Sequence, residues 1–201
     1  MMAKDFKLII ITEEKDIYGE SQLITLLFEA GLPLLHIRKP FYTLQETKAL
    51  IKSIPVAFHS KIVLHGHYEL LNDFNLKGAH LPERIRKESD ISQIKSIVST
   101  SFHTLEDIET EKINFEYAFF SPVFQSISKP GYEPSSETKK IKDHLASNKT
   151  TYPLIALGGI TDKNILQLPD MGFKGAACIG YIWEHHNPVE QYKKLQIILH
   201  G

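Results

Sequence analysis

The segment 119–131, FFSPVFQSISKPG, places hydroxyl side chains next to a lysine. It leaves an apolar run at Pro122 and then carries Ser126, Ser128 and Lys129 ahead of a Pro-Gly pair. Hydroxyls and an ammonium group donate hydrogen bonds to anions. The segment therefore predicts a loop that closes over a phosphorylated ligand, with an ordinary polar connection as the alternative.

Histidines form a second group of residues that could take part in catalysis or ligand binding. Five of the ten histidines follow short apolar runs, together with an arginine and a serine: His36, Arg38, His65, His67, His80, Ser101 and His103. His65 and His67 have the spacing at which two imidazoles of an extended chain point the same way, as in a metal-ligand pair. No carboxylate accompanies the pair in sequence, so we favour a polar loop and predict no metal ligands.

Short apolar runs alternate with helical patterns along the chain and must position these residues. Eight strands are predicted, at 7–12, 34–38, 61–64, 78–81, 97–101, 117–120, 154–157 and 175–179. The polar and glycine residues named here then follow the carboxyl ends of the strands.

Helices are predicted between these strands. The first has one apolar stripe made of Leu23, Leu26, Leu27 and Ala30. Thr43 and Glu46 have the spacing of a capping box. Residues 91–94 are predicted to form part of a short helix, whereas residues 83–90 are too polar to be assigned. Another helix is predicted at 162–168, shortened by Pro169.

Eight strand-then-helix units predict a single (β/α)8 barrel over residues 1–201, with an open doubly wound sheet as the alternative. Against the open sheet, no glycine-rich dinucleotide turn follows the first strand. Gly158, Gly159 and Gly180 follow the seventh and eighth strands, where such barrels often bind phosphate through backbone N–H groups. Tight turns are the alternative reason for these glycines.

Composition limits which binding partners and which cellular location the sequence predicts. The net charge of −1 gives no electrostatic argument for binding nucleic acid or an anionic membrane. The one cysteine, Cys178, excludes an intrachain disulfide and a cysteine-rich metal site. The N-terminal apolar run is too short for a signal peptide, which predicts a cytoplasmic protein.

Six motifs resemble those of thiamine-phosphate synthases and the related TenI proteins, in the same order and spacing. They are HIRKP (36–40), GAHLP (78–82), STSFHT (99–104), SPVFQSISKPG (121–131), LIALGGIT (154–161) and GAACIG (175–180). The resemblance extends over nearly the whole chain. In a synthase of this family an activated aminopyrimidine loses pyrophosphate, and the nitrogen of a thiazole phosphate attacks the resulting cation.

The resemblance implies a role for each matching residue. Arg38 and Lys129 would bind the pyrophosphate, and Ser101 would contact the pyrimidine. Ser128 would shape the same loop. The thiazole phosphate would be held by Ser126, Gly159, Ile179 and Gly180.

The chain also departs from the synthase pattern. Synthases usually carry Asn-Asp-Arg after the third strand, where this chain has His65, Gly66 and His67, and a second Mg²⁺-binding aspartate at the position of Arg84. Histidines are poor ligands for Mg²⁺, which prefers carboxylate and phosphate oxygens. The resemblance thus implies Mg²⁺ only where the synthase reaction is retained.

Two other functions stay open from the sequence. The TenI branch contains thiazole tautomerases, which transfer protons without a metal, but their histidine is replaced by Pro122, so that His36, His80 or His103 would have to act. The second is a catalytically silent protein that binds thiazole phosphate or thiamine phosphate. Barrels of this size often associate through outer helices, which predicts a homodimer.

Overall fold

A closed parallel barrel forms the centre of the protein. The computed structural model describes residues 6–88, 91–94, 96–124, 137–147 and 150–200. The strands of these residues are β1 (Lys7–Ile11), β2 (Leu34–Ile37), β3 (Ile62–Leu64), β4 (Gly78–Leu81), β5 (Ile97–Phe102), β6 (Tyr117–Phe120), β7 (Leu154–Leu157) and β8 (Gly175–Cys178). Neighbouring strands pair in chain order, and β8 pairs with β1. The predicted (β/α)8 barrel is confirmed, and the closed pairing excludes the open sheet.

Helices connect the strands on the outside of the barrel. Those of the described residues are α1 (Glu20–Glu29), α2 (Leu44–Ser53), α3 (Glu83–Glu88), α4 (Leu105–Thr110), α5 (Glu137–Ala146), α6 (Gln167–Asp170), α7 (Gly180–Trp183) and α8 (Pro188–His200). Two 3-10 helices, Val56–Lys61 and Tyr68–Asn72, flank β3. None of the described helices has both the length and the apolar character that a bilayer crossing requires.

Alternation along each strand separates two hydrophobic cores. One core lies between the strands and the helices, and the other fills the barrel interior with Ile9, Ile11, Tyr117, Phe119, Ile155 and Ala177. The strands β2, β4 and β5 also direct polar side chains into the interior, namely His36, His80 and Ser99, and all three are buried. A buried polar group needs hydrogen-bond partners, so this half of the interior must contain a connected polar network.

Two helix starts follow their sequence signals closely. The Thr43 hydroxyl accepts a hydrogen bond from the Glu46 N–H, and the Glu46 carboxylate accepts one from the Thr43 N–H, completing the predicted capping box. Thr104 caps α4 in the same way by accepting from the N–H of Asp107 at 3.1 Å.

The predicted apolar stripe of α1 is wrong at one position. Leu26 is 47% exposed, whereas Ile24 and Phe28 are buried beside Leu27. The helix is therefore turned so that positions 24, 27 and 28 face the strands. The surplus of apolar residues in this helix made more than one stripe compatible with the sequence.

The helix predicted at 91–94 is also wrong, because those residues form a turn and the helix lies at Glu83–Glu88. Its polar sequence is stabilised by tertiary contacts. Arg86 forms a buried ion pair with Glu111, and its guanidinium lies 4.5 Å from the ring centroid of Phe102.

Pro169 does not end a helix at residue 168 as predicted. It lies within α6, and residues 162–166 form turns instead. Proline is tolerated in the first turn of a helix because the N–H that it lacks would have no partner there.

Candidate active site

Three histidines from consecutive strands meet inside the carboxyl end of the barrel. His36 lies on β2, His80 on β4, and His65 directly follows β3. Nδ1 of His36 lies 2.8 Å from Nε2 of His65, and the rings of His65 and His80 stack with centroids 4.0 Å apart. His36 and His80 are buried, whereas His65 is partly exposed.

Hydrogen bonds extend this cluster across the barrel to β5 and β6. Nε2 of His36 lies 2.7 Å from the hydroxyl of Tyr117. The Ser99 hydroxyl lies 2.9 Å from Nδ1 of His80, and Nε2 of His80 lies 3.0 Å from the Ser101 hydroxyl. We call these six residues, His36, His65, His80, Ser99, Ser101 and Tyr117, the histidine network.

Burial keeps the histidine network neutral. Burial lowers the pKa of His36 and of His65 well below the ordinary value of 6.5, with smaller contributions from the neighbouring histidines. Burial, and then the positive charge of Arg38, lowers the pKa of His80 to about 3. Burial likewise raises the pKa of Tyr117. The network is thus an array of uncharged donors and acceptors at neutral pH.

The donor set at the ends of β3 and β4 does not fit Mg²⁺. Here the chain offers the imidazoles of His65 and His67 and the guanidinium of Arg84, and none of these groups has the oxygen that Mg²⁺ prefers. The carboxylates near these strand ends have other partners. Glu14, in the segment after β1, forms an ion pair with Arg38, Glu83 forms one with Lys87, and Glu69 lies 3.9 Å from His67.

An imidazole-bound transition metal also meets a geometric difficulty. One ligand atom from each of His36, His65 and His80 lies within 4.8 Å of the others, which resembles a three-histidine site. However, the planes of His65 and His80 are only 17° apart. Because imidazole lone pairs lie in the ring plane, two nearly parallel stacked rings direct them side by side and not at one ion.

Arg38 lies beside the histidine network. Its backbone N–H donates to the Thr12 hydroxyl at 2.8 Å, which ties the end of β2 to the end of β1. Its guanidinium pairs with Glu14, and both side chains are 40% exposed. Arg38 and His65 line one cavity of about 360 Å³. A cation and a histidine therefore face the same space, where an anion could exchange with Glu14.

The β7 loop contains two glycines in backbone conformations that other residues rarely adopt. Gly158 and Gly159 have φ values of +97° and +63°, the left-handed region that favours glycine. A Cβ at Gly158 would lie 3.0 Å from two Pro122 atoms. Asn164 holds this turn, because its side-chain amide donates to the Gly159 carbonyl and accepts from the Thr161 N–H, both at 2.8 Å.

The β8 loop leads directly into a short helix that the sequence did not predict. Ile179 precedes α7, and Gly180 is its first residue. A Cβ at Gly180 would lie 2.9 Å from the Glu184 carboxylate. The predicted phosphate-binding glycines thus lie at the carboxyl ends of two adjacent strands, β7 and β8.

His103 lies apart from the histidine network. It is exposed, and its Nδ1 lies 2.7 Å from the Ser121 carbonyl oxygen, an arrangement in which the ring joins the ends of β5 and β6. Of the other predicted residues, Ser126, Ser128 and Lys129 lie outside the described residues. Their anion-binding roles stay predictions.

A larger cavity, of about 1150 Å³, lies outside the barrel beside α1 and α2. Its lining includes Asp16, Tyr42, Trp183 and His185, and no member of the histidine network. We place the candidate site at the smaller cavity, because the polar network and the strand ends converge there.

Four residues of the site were absent from the sequence prediction: Glu14, Ser99, Tyr117 and Asn164. A signal existed for two of them. Ser99 stands two residues before Ser101, and Tyr117 two residues before Phe119, so each pair lies on one face of its strand. Nothing in the sequence indicated that Glu14 pairs with Arg38, since that contact depends on how β1 and β2 align.

The architecture defines the class of protein. A closed (β/α)8 barrel with polar side chains at the carboxyl ends of its strands is the arrangement of TIM-barrel enzymes. The family profile for thiamine monophosphate synthase matches residues 8–182. The chain belongs to this family, the TMP-TENI family of thiamine biosynthesis.

Individual relatives agree with the family. The thiamine-phosphate synthase of Dictyoglomus turgidum is 24% identical over 100% of this chain and 93% of its own length. The putative thiamine-phosphate synthase 2 of Aquifex aeolicus is 29% identical over 89% of this chain and 98% of its own. The crystal structure of thiamine phosphate pyrophosphorylase from Bacteroides thetaiotaomicron superposes with a TM-score of 0.80 at 32% identity, covering 96% of this chain and 97% of that one.

Proposed function

We propose that this protein is a thiamine-phosphate synthase, which joins a thiazole phosphate to an aminopyrimidine diphosphate and releases pyrophosphate. The observation that supports this most directly is the grouping of Arg38, His65 and Ser101 at one end of the barrel. Arg38 and His65 line the same cavity, and Ser101 is linked to His65 through His80. Family membership favours the synthase over the tautomerase and the silent binding protein.

Arg38 is the proposed ligand of the pyrophosphate. A guanidinium stabilises a departing anion, and it does so most effectively where water is excluded. In the free protein Glu14 neutralises this guanidinium. Binding of the diphosphate would replace one carboxylate by a more highly charged anion, so Glu14 would hold Arg38 in place until the substrate arrives.

The thiazole phosphate is assigned to the loops after β7 and β8. Left-handed glycines let the main chain approach an anion closely, and Asn164 fixes the turn that contains Gly159. Ile179 and Gly180 would complete this subsite, and Ser101 would contact the pyrimidine. Ser126, Ser128 and Lys129 would cover the ligands, as the family resemblance implies.

A turnover assay tests this function. The purified protein is given both substrates, with and without Mg²⁺, and thiamine phosphate and pyrophosphate are quantified. We expect both products in equal amounts, and an Arg38→Gln variant should lose about 10²-fold or more in kcat/KM, the scale of one lost electrostatic contact in a transition state.

The matched control removes a cation from the outer surface of the barrel. Lys52 on α2 is exposed, so Lys52→Gln should retain the wild-type rate. Absence of both products from the wild-type protein at high concentration, under every metal condition, would refute the proposed function.

We further propose a cytoplasmic homodimer. Leu26 on α1 and Ile197 on α8 are 47% and 69% exposed, and α1 packs against α8. Two apolar side chains on neighbouring outer helices favour association through this surface. Light scattering should give twice the chain mass of 22.9 kDa, and a Leu26→Glu/Ile197→Glu variant should give the monomer mass.

A further inference from the structure

A large cavity outside the barrel has no part in the proposed reaction. It is the cavity of about 1150 Å³ beside α1 and α2, which we call the outer cavity. Its walls come from the loop before α1, the first turn of α1, one face of α2 and the segment that joins α7 to α8. Its volume is comparable with that of the larger small-molecule sites in proteins, about 1,000 Å³. The outer cavity is therefore large enough for an organic ligand.

Carboxylates give the outer cavity a negative charge. Asp16, Glu20 and Glu46 line it, and no lysine or arginine does so among the described residues. Lys39 neutralises one of the three, because its ammonium group pairs with the Glu20 carboxylate at 2.8 Å. With the histidines counted as neutral, an excess of two negative charges remains. Such a wall attracts cations and repels anions.

The carboxylate of Glu20 lacks a partner on one of its oxygens. Oε2 pairs with Lys39, whereas Oε1 is buried and has no hydrogen-bond partner among the described residues. Glu20 is only 6% exposed and is part of the cavity wall. Burial raises the pKa of Glu20, because desolvation disfavours the charged form of a carboxylate. A cation bound in the outer cavity would offset this cost.

Aromatic rings stand beside these carboxylates. Tyr18, Tyr42 and Trp183 line the outer cavity, and Tyr18 is fully exposed. The Tyr42 hydroxyl donates to Oδ1 of Asp16 at 2.7 Å, which holds one ring next to one carboxylate. The ammonium group of Lys39 lies 5.2 Å from the centroid of the same ring. Faces of tryptophan and tyrosine rings attract organic cations, so the aromatic and acidic groups of this wall favour the same kind of ligand.

The donor set separates an organic cation from the other possible ligands. Within the part of the chain that the structure describes, the carboxylates and histidines of the outer cavity do not form a group of three close enough to hold a metal ion. An anion would be repelled by the carboxylates. An uncharged ligand would leave the aromatic and acidic groups without a matching charge. A flat ring with a delocalised positive charge fits both kinds of group.

We propose that the outer cavity binds the thiazolium ring of thiamine, the product of the proposed reaction without its phosphate. This inference rests on the proposed synthase function, which supplies the chemistry of the ligand. When the thiazole nitrogen bonds to the exocyclic carbon of the pyrimidine, it gains a fourth bond and the ring becomes a cation. This ring is flat and aromatic, and its nitrogen carries no proton that could be lost to neutralise it.

The phosphate group distinguishes the outer cavity from the reaction site. The reaction site is proposed to hold phosphate groups with Arg38 and the loops after β7 and β8. A phosphate monoester carries about −1.5 to −2 charges at neutral pH, which the carboxylates of the outer cavity would repel. The two sites thus select opposite forms of one compound. Thiamine would occupy the outer cavity without displacing the phosphorylated substrates.

Calorimetric titration at low salt measures this selectivity. The wild-type protein is titrated with thiamine, with thiamine phosphate and with the uncharged hydroxyethyl thiazole. Trp183, the single tryptophan, lines the outer cavity, so its fluorescence provides a second readout of occupancy. We expect thiamine to bind about tenfold or more tightly than the uncharged thiazole, because one charge pair near a protein surface contributes on that scale. Thiamine phosphate should not compete with thiamine for the outer cavity.

Two variants with matched controls locate the site. Asp16→Asn removes a carboxylate of the wall and Tyr18→Ala removes its exposed ring, and each should weaken thiamine binding by about threefold to tenfold. Glu29→Gln removes an exposed carboxylate of α1 outside the cavity, and Phe41→Ala removes a ring that is 80% exposed and also lies outside it. Both controls should bind thiamine as the wild type does. Glu20 is kept, because its replacement would leave a buried ammonium group without its partner.

Arg38→Gln separates the outer cavity from the reaction site and should leave thiamine binding unchanged. A loss of thiamine binding in this variant, with unchanged binding in Asp16→Asn and Tyr18→Ala, would place thiamine in the reaction site and overturn the inference. Equal affinities for thiamine and the uncharged thiazole, or no binding of thiamine, would also overturn it. The titration needs no turnover, so these outcomes leave the synthase standing. Conversely, a protein that binds thiamine in the outer cavity but forms no thiamine phosphate would refute the synthase alone.

Discussion

Lowering the pH should destabilise this protein through the histidine network, and His80 allows the effect to be calculated. Its pKa is about 3 in the folded protein and 6.5 as an ordinary value. Because the folded pKa is depressed, the unfolded chain binds the proton first as the pH falls. The stabilisation is therefore complete above pH 6.5 and is lost progressively between pH 6.5 and pH 3.

At pH 5 the unfolded histidine is almost fully protonated and the folded one is not. Since each pH unit below the unfolded pKa corresponds to about 1.4 kcal/mol, His80 alone should lower the free energy of unfolding by about 2 kcal/mol between pH 7 and pH 5. The depressed pKa values of His36 and His65 act in the same direction. Burial raises the pKa of Glu20, which acts in the opposite direction.

A comparison with His80→Gln isolates the contribution of His80 from these other groups. Urea unfolding at pH 7 and pH 5 is followed by fluorescence of Trp183, the single tryptophan, which is buried and donates its indole N–H to the Ile11 carbonyl at 2.8 Å. The variant should lose about 2 kcal/mol less than the wild type over this interval. Equal losses in the two proteins would refute the argument that burial keeps His80 neutral.

Three further predictions concern stability and use thermal or urea unfolding. Gly158→Ala should lower the free energy of unfolding by about 1–3 kcal/mol, because φ is +97° and Pro122 lies 3.0 Å from the new Cβ. Gly66→Ala, with open space around its Cβ, should lower it by less than about 1 kcal/mol. Equal losses in the two variants would contradict this reasoning. Lys39→Met should lower the free energy of unfolding by about 3–5 kcal/mol, because it leaves the buried Glu20 carboxylate without its partner at 2.8 Å. Adding Glu20→Leu should recover part of that loss. No recovery would show that the broken ion pair does not cause the loss. Thr43→Ala should cost about 1 kcal/mol by removing the capping box of α2, and an unchanged stability would show that the cap contributes nothing.

Local patterns in the sequence were sufficient for most of the fold. The strands Gly78–Leu81, Tyr117–Phe120 and Leu154–Leu157 were predicted with their observed bounds, because short apolar runs bounded by polar residues or glycine are an unambiguous local signal. The cap at Thr43 is equally local. The helix Glu83–Glu88 was not predicted, since its stability depends on the burial of Arg86 against Glu111, two residues that are distant in sequence.

For the site, the sequence determined which side chains follow the strands and which family they resemble. Arg38 and His65 line one cavity, and the glycines follow β7 and β8; their binding roles stay predictions. The tertiary structure alone decided that His36, His65 and His80 meet, that Tyr117 is hydrogen-bonded to His36, and that Ser99 is hydrogen-bonded to His80. Contacts between strands depend on how the closed barrel aligns them, which local patterns do not encode. Of the five histidines at strand ends, this alignment brings His36, His65 and His80 together in one neutral network. The other two are hydrogen-bonded elsewhere, His67 to the Tyr42 carbonyl and His103 to the Ser121 carbonyl.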